Sequence, residues 1–281
     1  MNITSKTKIC MVIGDPIEHS LGPQKYNDIY KQLGIDDQFV YVACRVKISD
    51  VADFIKGVRA MGIRGVSCTI PHKVEVMKYL DKIDPVAGKI GAVNTIVNDD
   101  GLLTGYNTDW TGAVVPLERV TQLKGKTVAL IGAGGAARAI AYGVVEHGAE
   151  LTIYNRTPEK AKQLAEAVGA KTGSLDNLDA VKDMDIIINA TNVGMQPNDD
   201  ETPLPKEYIT DNHVVLDAVY TPQETRLLRE AKEQGARVIY GTEMLLHQGL
   251  DQFKLYTGHD VPEDMMREVL DKYLPPKRNK S

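Results

Sequence analysis

The chain has 281 residues, 43% of them hydrophobic and 25% charged, and a net charge of −5 from 33 basic and 38 acidic side chains. That is the composition of a soluble globular protein with room for two domains. An acidic balance argues against a nucleic-acid partner, no apolar run approaches the about 18 residues of a membrane span, and three cysteines (Cys10, Cys44, Cys68) without metal spacing suit a reduced, cytoplasmic setting.

The opening MNITSKTKICMVIGD lacks a signal-peptide core and cleavage site and runs straight into a strand over Lys8–Ile13. Gly14-Asp15-Pro16 is a turn signal, and His19-Ser20-Leu21-Gly22-Pro23 leads into a helix reaching Leu33. Phe39 to Val46 reads as a second strand. Ser49 is a candidate N-cap for a helix to Met61, stopped by Gly62. Val66 to Ile70 is a third strand, and Pro71-His72-Lys73 is expected to open the next helix. Ala92–Val97 and Leu102–Tyr106 flank Asn98-Asp99-Asp100-Gly101 as a hairpin. Alternating strands and helices predict an α/β half with a mostly parallel sheet. The tail, Pro275-Pro276-Lys277-Arg278-Asn279-Lys280-Ser281, is expected to fray.

Val128–Arg156, VALIGAGGAARAIAYGVVEHGAELTIYNR, is strand, glycine turn, helix, strand. It carries G-x-G-G-x-A, the small-residue variant of the dinucleotide fingerprint of a Rossmann-type domain. Gly132, Gly134 and Gly135 punctuate the chain before a helix over Ala136 to His147 that ends at Gly148; Gly132 permits the tight turn, Gly134 lets backbone approach a pyrophosphate, and Ala137 allows close helix–strand packing. The helix N-terminus offers N–H donors and partial positive charge to phosphates. An NAD site usually has an acidic residue at the end of the second strand. Here stand Asn155-Arg156-Thr157, with Lys160 one turn later. A guanidinium there suits a 2′-phosphate, which favours NADP over NAD.

Ser20, Thr69, Lys73, Asn94 and Asp109 all follow or end apolar strands, where ligands gather in open α/β sheets. Each also has a structural explanation. Ser20 and Asp109 can cap helices, Thr69 suits a strand, Asn94 a turn, and Lys73 an exposed first helical turn.

Taken together, GDPIEHSLGP, TIPHK, GAVNTI, GYNTDWTG, GAGGAARA, NRTPEKA, NATNVGM, DAVYTPQET and GTEMLLHQG occur in that order from Gly14 to Gly249. In this the chain resembles the shikimate dehydrogenase family, including its quinate/shikimate relatives. The resemblance implies hydride transfer between NADPH and the 3-keto group of 3-dehydroshikimate, a cyclic hydroxy acid. It implies a catalytic pair at Lys73 and Asp109, with Lys73 as proton donor to the nascent alkoxide and Asp109 as its orienting partner. It places Ser20, Gly22, Thr69, Asn94, Tyr220 and Gln248 at the substrate. Gly132, Gly134, Gly135 and Ala136 take the phosphate-loop roles, and Asn155, Arg156, Thr157 and Lys160 the 2′-phosphate pocket. Thr191, Val193 and Met195, with Gly241 and Met244, lie towards the nicotinamide. The implied division is 1–109 for substrate, 110–242 for NADP, and 243–281 returning to complete the first domain. A cleft between the sheets, closing by a hinge over its ligands, is the implied arrangement.

The family's usual block is H-S-x-S-P, whose serines bind the substrate carboxylate, and Gly22 replaces the second. One hydroxyl is lost, and the glycine is expected to leave extra space. Tyr26 stands where His is frequent, and Ser67-Cys68 where Asn-Val is common. Two substrates stay open on this reading, shikimate and quinate or a related cyclic polyol acid. A non-catalytic NADP(H)-sensing module would have no need of Lys73 and Asp109, and a Rossmann methyltransferase would want an acid in place of Asn155-Arg156. The six histidines, His19, His72, His147, His213, His247 and His259, show no metal spacing, so no metal is expected. Trp110 can pack near the substrate or anchor the domain junction. Monomer and homodimer both remain open.

Overall fold

A computed structural model describes residues 3–18 and 20–274; the expectations for His19 and for the tail from Pro275 lie outside them. The chain divides into two compact units, one formed by Met1–Thr108 with Gly249–Tyr273, the other on Asp109–Gln248.

The first unit runs β1 (Lys8–Gly14), α1 (Gly22–Gln32), β2 (Phe39–Arg45), α2 (Val51–Ala60), β3 (Gly65–Cys68), β4 (Lys82–Ile83), α3 (Pro85–Ile90), β5 (Thr95–Asp99) and β6 (Leu102–Tyr106). Its strands form one sheet in the order β2-β1-β3-β5-β6-β4. β1 pairs parallel with β2 and β3, whereas β3–β5 and β5–β6 are antiparallel. The 2-1-3 order places β1 at a topological switch point, so a crevice opens at the carboxyl ends of β1 and β3.

Two local expectations need correction. No α-helix begins at Pro71-His72-Lys73; a turn leads to a 3-10 turn over Glu75–Tyr79. Lys73's carbonyl accepts from Val93 N–H at 2.7 Å, which ties this segment to the chain entering β5 instead. Ser49 does not cap α2. The helix is entered through a 3-10 turn at Ile48–Asp50, and the Ser49 hydroxyl donates to Asp50 at 2.7 Å. The hairpin is present, but Ala92–Asn94 precede its first strand.

The second unit holds α4 (Asp109–Val120), β7 (Thr127–Ile131), α5 (Gly135–Glu146), β8 (Glu150–Tyr154), α6 (Pro158–Val168), β9 (Lys171–Gly173), β10 (Ile186–Asn189), β11 (Val214–Asp217), α7 (Arg226–Glu233) and β12 (Arg237–Ile239). Helices α8 (Gly241–Thr257) and α9 (Glu263–Tyr273) follow. Its sheet is wholly parallel, in the order β12-β11-β10-β7-β8-β9, the doubly wound arrangement of dinucleotide-binding folds. A parallel sheet needs apolar cover on both faces. Val128 and Leu130 of β7 point into one core with Ile186, Ile188 and Leu216; Ala129 and Ile131 point into the other with Ile187 and Val215. Trp110 packs edge-on to Tyr142 of α5 at 6.2 Å. Among the described residues no helix is long and apolar enough to cross a membrane.

Tyr256 of α8 lies flat on β3 at Gly65, and its hydroxyl is 2.9 Å from Ser67 Oγ. A methyl at position 65 would enter that ring, which is buried and tethered. Gly65→Ala is expected to lower stability by about 1–3 kcal/mol through overpacking. An unchanged midpoint in chemical denaturation would show that the ring moves aside freely.

Candidate functional site

In the first unit the sheet gathers four of the expected site residues. Ser20 follows β1, and its Oγ accepts from Gly22 N–H at 3.2 Å, fixing the entry to α1. Thr69 follows β3, with its N–H on Ile13 carbonyl at 3.0 Å. Asn94 immediately precedes β5; because β5 runs antiparallel to β3, this is the same end of the sheet. Its carbonyl accepts from Cys68 N–H at 2.7 Å. Lys73, half-buried, is held there through the Val93 bond. Serine, threonine, lysine and asparagine thus share one sheet end, a set of donors and acceptors suited to a polyhydroxy ring with a carboxylate.

Asn94 is 1% exposed, and both ends of its amide are held by neighbours. Oδ1 accepts from Thr108 N–H (2.9 Å) and Thr95 hydroxyl (2.7 Å), and Nδ2 donates to Thr108 Oγ1 (3.0 Å). Behind it, Gln252 of α8 donates to Thr95 Oγ1 at 2.9 Å and accepts from the Tyr26 hydroxyl at 2.9 Å and from Ser67 at 3.2 Å. Tyr41 completes the set by donating to Ser67 at 2.6 Å. Tyr26, at the position where His is frequent, therefore braces α1 to α8. Gln252 escaped the sequence reading, although it lies one helical turn beyond Gln248, on the same face.

Gly22 corrects a further expectation. A Cβ there would lie 2.9 Å from Tyr41 Cε1 and 3.3 Å from Ser20 Oγ. The volume is already filled by the Tyr41 ring, so the glycine accommodates an aromatic and leaves no extra space for a larger substrate. His72 is fully buried, and burial lowers its imidazole pKa, which keeps it neutral beside Lys73. Cys68 is buried with its thiol pushed up to about 12, the state of an inert packing residue.

In the second unit the glycine turn sits at the switch point between β7 and β10. Gly132 has φ +120, and a Cβ on it would lie 2.9 Å from Ala190 carbonyl, so only glycine fits. A Cβ on Gly134 would meet no protein atom within 4 Å, and Gly134 is the N-cap of α5, ahead of Gly135 and Ala136 in its first turn. Ala137 is completely buried at the helix–sheet contact. Gly132 N–H donates to Tyr154 carbonyl at 2.8 Å, which brings the end of β8 beside the turn. There Asn155 Nδ2 bonds Thr157 carbonyl at 2.9 Å, and Arg156, Thr157 and Lys160 are exposed. The residues fit NADP(H): a phosphate turn without side chains and two cations, with no carboxylate at the strand end.

Thr191, Val193 and Met195 lie on the loop after β10. Asn189 Oδ1 accepts from Thr191 N–H and hydroxyl (3.0 and 2.7 Å), and Thr191 Oγ1 accepts from Val193 N–H (3.1 Å). Asn189 Nδ2 in turn donates to Asp217 at 2.9 Å. Asp217 is fully buried and also accepts from Val219 N–H (3.0 Å) and the Thr225 hydroxyl (2.6 Å). Burial pushes its carboxyl up to about 6. This carboxylate ties together two loops, 190–195 and 218–225, including half-buried Tyr220. It was readable by the same strand-end rule that singled out Ser20 and Asn94. Gly241 presses on Val219 and Ala218, and a Cβ on Gly112 of α4 would lie 2.8 Å from the carbonyl oxygen of buried Met244. The same added Cβ would lie 3.1 Å from Gln248 Cβ. Asp109 is buried as the first residue of α4. Among the described residues no group of His, Cys, Asp or Glu could hold a metal.

Comparisons with known proteins agree with both halves. The family "Shikimate dehydrogenase substrate binding domain" matches residues 12–96, "Shikimate / quinate 5-dehydrogenase" residues 116–196, and "Shikimate 5'-dehydrogenase C-terminal domain" residues 241–270. The chain is 44% identical to a shikimate dehydrogenase (NADP(+)) of Methanothermobacter thermautotrophicus, over 97% of this chain and 99% of that one. It superposes with TM-score 0.88 on a shikimate 5-dehydrogenase from Thermus thermophilus in complex with NADP(H) and shikimate, at 36% identity over 95% and 100% of the two chains. A quinate dehydrogenase from Corynebacterium glutamicum in complex with NAD matches with TM-score 0.86 and 30% identity, over 95% and 99%.

Asp217→Ala would strand three buried donors, each at a cost of about 1–3 kcal/mol, and is expected to destabilise the protein severely. Asp217→Asn keeps an acceptor for two of them. A folded pKa of about 6 lies above the unfolded 3.8, so the wild-type carboxyl contributes stability at low pH that is lost as pH rises through 6. The stability of Asp217→Asn relative to wild type is therefore expected to improve from pH 4 to pH 7 in denaturant titrations. A flat difference would mean the carboxyl titrates normally.

Proposed function

The chain belongs to the shikimate dehydrogenase family, and we propose on that premise that it interconverts 3-dehydroshikimate and shikimate with NADP(H). The observation that carries the substrate reading is the convergence of Ser20, Thr69, Lys73 and Asn94 on one sheet end. Arg156 in place of an acid carries the cofactor reading. The first unit takes the ring acid, and the second takes NADP(H) along Gly132, Gly134, Gly135 and Ala136, with Arg156 and Lys160 at the 2′-phosphate.

The nicotinamide supplies or accepts the hydride. The chain's own task is the proton and the geometry. In reduction Lys73 donates a proton to the oxygen that becomes alkoxide, and in oxidation its amine takes the proton from the hydroxyl. Asp109 orients that ammonium. Asn94 and Thr69 hold ring hydroxyls, Asn94 with its own amide already locked by Thr95 and Thr108, so little is lost in orienting it. Ser20, Tyr220 and Gln248 complete the substrate set, and Thr191, Val193, Met195, Gly241 and Met244 the nicotinamide end. The proposed setting is the cytoplasm, as a monomer or homodimer, which light scattering after size exclusion distinguishes.

With Tyr41 filling the volume at Gly22, no observation favours quinate over shikimate. Initial rates of oxidation with NADP⁺ are expected to be highest for shikimate; quinate exceeding it in kcat/KM would overturn the substrate. Lys73→Ala is expected to lower kcat by roughly 10²–10⁴-fold, the usual share of positioned proton transfer. Arg156→Ser should raise KM for NADP⁺ by roughly ten- to hundredfold and leave NAD⁺ unaffected. Equal effects on both nucleotides would remove Arg156 from the 2′-phosphate.

A further inference from the structure

α1 buries Lys25, Tyr26, Ile29 and Tyr30. A lysine on the buried stripe of an amphipathic helix is an anomaly, because a desolvated ammonium needs an anion. Lys25 is 3% exposed, and among the described residues no carboxylate or hydrogen-bond acceptor engages its ammonium. Its neighbours are the Tyr26 ring, 4.2 Å from Nζ to centroid, and Gly249 of α8, where a Cβ would lie only 2.7 Å from Nζ. The chain gives up a side chain at 249 to make room for this cation. Burial alone pushes it down to about 7. The elements around α1 carry Lys8 and Cys10 on β1, Tyr41, Cys44 and Arg45 on β2, Glu243, His247, Asp251, Lys254 and Tyr256 on α8, and Glu263, Asp264, Arg267, Glu268, Asp271, Lys272 and Tyr273 on α9; desolvation is the one cause of its shift.

Lys25 lies three residues after Gly22, hence on the same helix face, and helical side chains lean back over the preceding turn. That turn is Leu21–Gly22, where Ser20 Oγ holds Gly22 N–H. One hydroxyl is missing there, and the Tyr41 ring blocks its return. We propose that Lys25 is a specificity-determining residue of the substrate site, whose ammonium pairs with the carboxylate of the ring acid in place of the hydroxyl absent at Gly22. This rests on the ring-acid reading above. The unpaired lysine is a cost held by the free protein and relieved when the carboxylate arrives.

Lys25→Met tests this without threatening the fold. It fills the same volume and removes a buried cation, so stability should rise, most below pH 7, where the wild-type lysine is charged, and less towards pH 10. KM for shikimate should rise roughly ten- to hundredfold with kcat little changed, whereas KM for methyl shikimate, which lacks the charge, should be alike in both proteins. In wild type, KM for shikimate should climb as pH rises above 7. Calorimetry at pH 8 in buffers of different ionisation enthalpy should show proton uptake with shikimate and none with the methyl ester. Unchanged KM, or an equal rise for acid and ester, or equal proton uptake for both, overturns the pairing while leaving the reaction intact. Wild type that turns over no ring acid overturns the reaction and the pairing together.

Discussion

The amide of Gln252 is the constraint on which the substrate half depends. It ties a C-terminal helix to the sheet end by donating to Thr95 and to the Asn94 carbonyl, while accepting from Tyr26 and Ser67. Every member of this buried set has a partner, the condition under which a polar network rigidifies a site. Asn94 cannot rotate without breaking bonds to Thr95 and Thr108, and Thr108 directly precedes Asp109 in the chain. A residue that touches no ligand thus sets the orientation of one proposed to do so.

The cofactor half uses the same logic with other residues. Asn189 and Asp217 end adjacent strands, and their side chains turn back to hold the loops that follow. The glycine turn needs no such brace, because Gly132 is wedged against Ala190 and hydrogen-bonded to Tyr154. Strand ends therefore carry two kinds of polar residue, those proposed to meet ligand and those that fix the loops bearing them.

The architecture was largely legible. β7, α5 and β8 announced themselves by apolar runs and glycines, and the alternation in the first half predicted its α/β character. What escaped was decided by competing contacts, some tertiary and one local. Pro71-His72-Lys73 has a helix-opening sequence, but Val93 claims the Lys73 carbonyl. Ser49 has a capping side chain, but Asp50 takes its hydroxyl. At Gly22 the missing hydroxyl could be read from the sequence, whereas the Tyr41 ring that fills the place could not, since residue 41 comes from β2 and residue 22 opens α1.

Two buried charges show how structure separates a brace from a binding group. Asp217 and Lys25 are both withdrawn from water, and burial pushes each towards its neutral form. Asp217 is met by three donors from its own chain, so its charge is already spent on holding loops. Lys25 is met by an aromatic face and the backbone of a glycine. A satisfied buried charge has nothing left to offer a ligand, while an unsatisfied one persists only if something offsets its desolvation. Gly22, Tyr41, Lys25 and Gly249 then read as one coupled change: an aromatic takes the space of a hydroxyl, and a cation one turn on, admitted by a second glycine, takes over its work.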